Sequence, residues 1–193
     1  MINFKELNAT PPSSGSHLPV FDIVFACAHI KRVVEFGMGD WSTPYLIGKG
    51  VELFSVDNEQ RWIDKFVDPK NTKHKGYCYT WETMKDVLDK ELAGQFFDLI
   101  FVDGHYRSRL SCAEKSWHRA EIIMWHDTQG APYSWDKVKI APEYKEIVFK
   151  FCNAWTTVWT NNKAVFESIS YWNEVIRKYK EAYNRLCELK DLQ

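Results

Sequence analysis

Four short apolar runs end on glycine or on polar residues: KRVVEFG (31–37), VELFSVD (51–57), FDLIFVD (97–103) and EIIMWHD (121–127). They are rich in β-branched and aromatic residues and too short for buried helices, so they predict buried strands. KGYCYT (75–80) reads as a further strand. Between them lie segments of helical character: LPVFDIVFACAHI (18–30), a stretch opening at Thr43-Pro44, EQRWIDKFV, ETMKDVLDKEL (82–92) and YRSRLSCAEKSWHRA (106–120). Parallel strands cannot be joined by tight hairpins and need crossovers, usually helical. The alternation therefore predicts an α/β chain with a Rossmann-like, doubly wound, mostly parallel sheet carrying helices on both faces.

Such sheets bind ligands beyond the carboxyl ends of their strands. The polar residues stand there: Glu35 and the Gly37 loop, Asp57, Thr80-Trp81, Asp103, and His126-Asp127. Five strand ends thus deliver a polar or aromatic group to one rim.

The rhythm changes after Asp127. TTVWTNNKAVFES (156–168) reads as two β-runs around Asn161-Asn162, an antiparallel hairpin at the sheet edge. Residues 171–193 place Trp172, Val175 or Ile176, Tyr179, Tyr183 and Leu186 on one face, which predicts a terminal amphipathic helix. That face can pack on its own domain or form a homodimer contact. With no long linker and no repeat, the 193 residues read as one domain: an N-terminal lid and helix over 1–30, a core over 31–170 and the terminal helix over 171–193. Within the first part, NATPPSSGS (8–16) has the composition of a loop.

Composition excludes several classes. Apolar residues at 45% allow a real core, and a net charge of −1 provides no basic field for nucleic acid or an anionic membrane. No apolar run approaches the roughly 20 residues of a membrane span. The five cysteines are widely spaced with no C-x-x-C pair, which argues against a disulfide framework or a structural zinc site. MINFKELNAT lacks the basic and apolar regions of a secretory signal, so a cytoplasmic location is expected.

In FGMGDWSTPY, Gly37 and Gly39 allow a sharp turn and a close backbone approach to a ligand. Thr43 as N-cap and Pro44 in the first turn would start a helix whose free N–H groups point at the same spot. A phosphate or a carboxylate would fit there. Position 42 is Ser rather than a third glycine, and Glu35 and Asp40 put negative charge beside the loop. These features favour a ligand carrying an ammonium or sulfonium group over a pyrophosphate. Asp57 can accept hydrogen bonds from ribose hydroxyls, a feature shared by nicotinamide and adenosylmethionine enzymes. Trp81 could supply a flat partner for adenine.

VVEFGMGDWSTPYLIGKGVELFSVDNEQRW, FDLIFVDGHYRSR and IIMWHDT together resemble the class I S-adenosylmethionine-dependent methyltransferases. They are most similar to the small-molecule O-methyltransferase-like branch, in which Ser-Thr stands where a third glycine would. Trp62 after the second-strand acid, the V-D-G segment running on to Arg107 and the His126-Asp127 pair belong to the same resemblance, which spans roughly residues 14–130. It implies that Glu35, Gly37, Gly39, Ser42 and Thr43 hold the methionyl part, Asp57 and Asn58 the ribose, with Trp81 near the adenine. Some members bind Mg2+ through acids at the fourth and fifth strand ends, here Asp103 and Asp127. His105 is the expected general base, with Asp103 and Asp127 as further catalytic residues. Arg107 and Arg109 read as solvated helix charges or as anchors for an anionic group.

The expected activity is methyl transfer from S-adenosylmethionine to a hydroxyl of a small-molecule or glycan-like acceptor. A binding protein with this fold but no catalysis, and an enzyme using a nucleotide such as NAD, are the two alternatives.

Overall fold

The computed structural model describes residues 15–129, 135–151 and 154–190. Its sheet has seven strands: β1 (Arg32–Phe36), β2 (Glu52–Asp57), β3 (His74–Cys78), β4 (Phe97–Val102), β5 (Ala120–His126), β6 (Lys145–Phe149) and β7 (Thr156–Thr160). Their order across the sheet is β3-β2-β1-β4-β5-β7-β6. β1 to β5 are parallel, whereas β7 runs antiparallel to both β5 and β6. The helices are α1 (Leu18–Cys27), α2 (Ser42–Gly48), α3 (Gln60–Phe66), α4 (Val87–Lys90, after a 3-10 turn at Met84–Asp86), α5 (Tyr106–Ser116) and α6 (Lys163–Lys190).

Side chains on a strand alternate between faces, so a sheet covered on both sides needs apolar residues at every position. Val33, Leu99, Phe101, Ile122, Met124 and Val158 face one core, shared with α1, α2 and α6. Val34, Phe36, Ile100, Val102, Ile123 and Trp125 face the other, shared with α4 and α5. Strand order reverses between β1 and β4, so the connections leaving these two strands go to opposite faces of the sheet and a crevice opens beyond their carboxyl ends. Gly37 closes that end of β1. It sits at φ +94°, and a Cβ there would lie 2.3 Å from Gly104 Cα, in the loop after β4. Two glycines therefore let the two loops meet.

Three expectations are corrected. Thr43 is not the N-cap: α2 starts at Ser42, and the Thr43 hydroxyl points inward, accepting from Gly39 N–H and donating to the Glu35 carboxylate. The antiparallel edge hairpin exists, but it pairs β6 with β7; residues 163–168 are helical. Asn161-Asn162 ends the strand and starts the helix, because Asn162 Oδ1 accepts the N–H groups of Ala164 and Val165. Helix α6 thus begins at Lys163 rather than near residue 171, and Val165, Ile169 and Ile176 are buried on this same domain. These three side chains pack on their own domain; the side chains of Tyr183 and Leu186 lie outside those described.

Helix α1 packs on the sheet, as the helical spacing of its apolar residues implies, with Val20, Phe21, Ile23 and Val24 fully buried. The rest of the expected lid and most of the 8–16 loop lie outside the described residues. Among the described residues no helix is long and apolar enough to cross a membrane.

Candidate active site

A cavity of about 530 Å3 opens at the crevice. The glycine loop forms one wall, from Gly37 to Ser42. The opposite wall holds His17, Asp103, Arg109, His126 and Asp127, and Trp62 completes the lining.

The loop wall is built on Glu35, which β1 buries completely. Both Glu35 oxygens lie 3.0 Å from Thr43 Oγ1, and Ser55 Oγ donates to one of them at 2.8 Å. Burial raises the Glu35 carboxyl to about 7. Glu35 and Thr43 do not line the cavity. They brace the loop from behind through the Thr43–Gly39 bond of 3.0 Å, instead of presenting charge to a ligand. Asp40 does line it, paired with Lys65.

Asp57 is a second brace. Its carboxylate accepts from Met38 N–H and Glu59 N–H, both at 2.8 Å. Burial raises its pKa despite these bonds. Asp57 is buried and does not itself line the cavity. Asn58 is half-buried beside it. Trp81 lies next to His105, with ring centroids 5.8 Å apart, and the Arg107 guanidinium sits 5.3 Å from the Trp81 ring. Gly39 needs no special conformation, and nothing lies within 4 Å of where its Cβ would be. Its lack of a side chain keeps the cavity wall open.

The opposite wall differs most from expectation. His105 does not face the cavity: its Nδ1 accepts from Arg107 N–H at 3.4 Å, capping α5. Among the imidazoles that do line the cavity is His126, whose Nδ1 lies 3.1 Å from Asp103 Oδ1 and whose Nε2 lies 2.8 Å from Ser16 Oγ. Arg109 is not a solvated helix charge. It is buried, 2.9 Å from Asp103 and 3.0 Å from Asp127, and it donates to the carbonyl oxygens of Gly104 and His126. Burial works to raise the Asp103 pKa, but His126 and Arg109 outweigh it and hold the carboxyl below its ordinary value. Asp127 has left-handed backbone, φ +62°, which turns its side chain back toward Arg109 and the cavity.

This geometry corrects the expected Mg2+ site. A guanidinium already bridges Asp103 and Asp127 and occupies the position between them that a hard dication would need. The pair does not fit Mg2+.

Two groups escaped the sequence reading. His17 precedes α1 and is 1% exposed, and its ring packs 5.1 Å from Phe101 and 4.6 Å from His126. Burial lowers it to about 3, with His126 and Arg109 adding to the effect against the opposing pull of Asp103. Nothing in the residues around position 17 signals this, because the placement follows from how α1 docks on the sheet. Trp41, 39% exposed, reaches the cavity from the loop.

The sequence matches no protein-family model and no curated protein. Solved structures are similar in fold. The O-methyltransferase from Bacillus cereus in complex with SAH matches with a TM-score of 0.56 at 12% identity, over 81% of this chain and 85% of that one. Human methyltransferase-like protein 13 in complex with SAH matches with a TM-score of 0.55 at 10% identity, over 84% and 92%. A SAM-dependent methyltransferase from Agrobacterium tumefaciens matches with a TM-score of 0.50 at 12% identity, over 76% and 62%.

Proposed function

We propose that this chain, which has the class I S-adenosylmethionine-dependent methyltransferase fold, transfers the methyl group of S-adenosylmethionine to a hydroxyl of a small-molecule or glycan-like acceptor. One observation carries the reading: a single cavity is walled on one side by the glycine loop and on the other by a charged cluster at the β4 and β5 ends. The cofactor's methionyl part lies along Gly37–Ser42, with Asp57 toward the ribose and Trp81 toward the adenine. Its sulfonium then points at Asp103 and Asp127.

The chain's contribution is chiefly positioning. Arg109 holds Asp127 through Oδ2, while Oδ1 lies 3.7 Å from His126 Nε2. Asp127 accepts the hydrogen bond of the acceptor hydroxyl and takes its proton as the methyl group arrives. It replaces His105 in that role, because Asp127 lines the cavity and His105 does not. The flat faces of Trp41 and Trp62 at the same cavity suit a sugar or aryl ring.

Calorimetric titration tests the cofactor half. S-adenosylmethionine binds the wild type, and Asp57→Ala abolishes binding. Tight NAD binding with no affinity for S-adenosylmethionine would sink the proposal. Asp127→Asn separates the two halves: it retains cofactor affinity and loses at least about 100-fold in turnover, the lower range for removing a proton acceptor.

A further inference from the structure

We propose that His17, Asp103 and His126 form a binding site for one divalent first-row transition ion, of the kind represented by Zn2+ or Fe2+. The three residues come from distant parts of the chain: the start of α1, the loop after β4 and the end of β5. One ligand atom from each lies within 4.8 Å of the others. Asp103 Oδ1 is 3.1 Å from His126 Nδ1, and Asp103 Oδ2 is 4.0 Å from His17 Nδ1. Ligands held about 2.1 Å from a common ion stand no more than about 4.2 Å apart, a limit that Asp103 Oδ2 and His17 Nδ1 meet at 4.0 Å.

The independent observation is His17 itself. It is almost completely buried, it lines the cavity, and among the described residues neither ring nitrogen has a hydrogen-bond partner. Buried polar atoms in native proteins are satisfied, and an orphaned imidazole requires an explanation. An ion supplies one, because it takes a nitrogen lone pair without needing a donor.

Donor chemistry selects the ion. Two imidazoles and one carboxylate suit borderline transition ions, whereas Mg2+ prefers oxygen. This set is distinct from the Asp103–Asp127 pair that Arg109 bridges. Arg109 and the ion can share Asp103, since the guanidinium lies on Oδ1 while Oδ2 faces His17. Two acids against one guanidinium also leave net negative charge at the site.

The surrounding groups are arranged to support a ligating His126. When Nδ1 takes the ion, the ring proton sits on Nε2, where Ser16 Oγ lies 2.8 Å away to accept it. Ser16 Oγ in turn lies 3.4 Å from the Ala154 carbonyl oxygen, to which it can donate. Such supporting bonds fix the tautomer of ligating histidines. Three protein ligands leave positions open toward the cavity, where an acceptor oxygen can bind. That use rests on the methyl-transfer reading; the metal site does not.

The test uses tag-free, full-length protein stripped with a chelator and titrated with Co2+ in the absence of S-adenosylmethionine. The d–d absorption of Co2+ and calorimetry provide the readouts. The wild type is expected to bind one Co2+ per chain, which Zn2+ displaces. His17→Ala weakens binding by more than about 100-fold, beyond what loss of a merely supporting group costs. Asp40→Asn, on the same cavity, leaves it unchanged. Circular dichroism confirms that each variant is folded, with His17→Gln as the replacement if His17→Ala is not. Absence of Co2+ binding by folded wild type overturns the site. Binding that survives His17→Ala but is lost with Asp127→Asn also overturns it and returns the metal to the two acids. Cofactor affinity, measured separately, is independent of either outcome.

Discussion

At Gly37 the backbone conformation and the packing make the same demand. Left-handed φ disfavours a side chain, and the Cβ position falls 2.3 Å from a backbone atom of Gly104. Gly39, two residues on, faces open space. The two glycines should therefore fail differently on substitution. Gly37→Ala is expected to lower stability by more than about 1 kcal/mol, read by urea denaturation. Gly39→Ala should leave the urea midpoint unchanged and weaken S-adenosylmethionine binding in calorimetry, because its methyl group enters the cavity.

Glu35 yields a pH prediction at the same scale. Burial raises its folded pKa to about 7 from an ordinary 4.5. Between those values the folded chain holds a proton that the unfolded chain has released, so stability falls as pH rises across this window and levels off above it. Glu35→Gln should flatten the slope between pH 5 and 7 in denaturation midpoints. A wild-type slope that persists in the variant would locate the titration elsewhere.

Among the elements, α6 shows how a short signal can be read in the wrong period. Asn161-Asn162 suits a tight turn as well as a helix start, and KAVFES alternates well enough to pass for a strand. Tertiary packing decides the matter, because Val165 and Ile169 reach the sheet at helical spacing. If Asn162 is the cap, Asn162→Ala should cost about 1 kcal/mol, measured by urea denaturation, and Asn162→Asp should retain most of that stability. An unaffected midpoint in the Ala variant would show that packing alone starts the helix. Strand β6 was missed for a related reason: KEIVF is short, and its burial alternates at an edge, leaving little pattern to detect.

Across the whole molecule, Arg109 links elements that are distant in sequence. From α5 it binds the β4 end through Asp103 and Gly104, and the β5 end through His126 and Asp127. Its removal leaves two mostly buried carboxylates without a counter-charge. Arg109→Leu should destabilise the fold by about 3 kcal/mol. The loss should shrink as pH falls far enough to protonate Asp103, whose carboxyl Arg109 helps to hold below its ordinary value. A loss that is constant with pH would indicate a packing role. Arg109→Lys is a useful companion, since an ammonium cannot span both acids as a planar guanidinium does.

The sequence by itself determined the parallel core of the sheet, an antiparallel strand at 156–160 on its edge and the rim on which the polar residues gather, but not β6, the strand that completes the hairpin. Those features follow from local periodicity and from the geometric rule that parallel strands need crossovers. Gly37, Gly39 and Ser42 on one side, and Asp103 and Asp127 on the other, were legible as strand-end residues in this way. Only the tertiary structure decided which groups face one another: His126 instead of His105, Arg109 between the acids, and His17 beneath them. Glu35 and Thr43 moved behind the loop they were expected to present. The physical reason is common to all of them. A side chain's role here depends on burial and on partners that α1, β4, β5 and α5 bring together, and no local pattern of residues encodes how those elements dock.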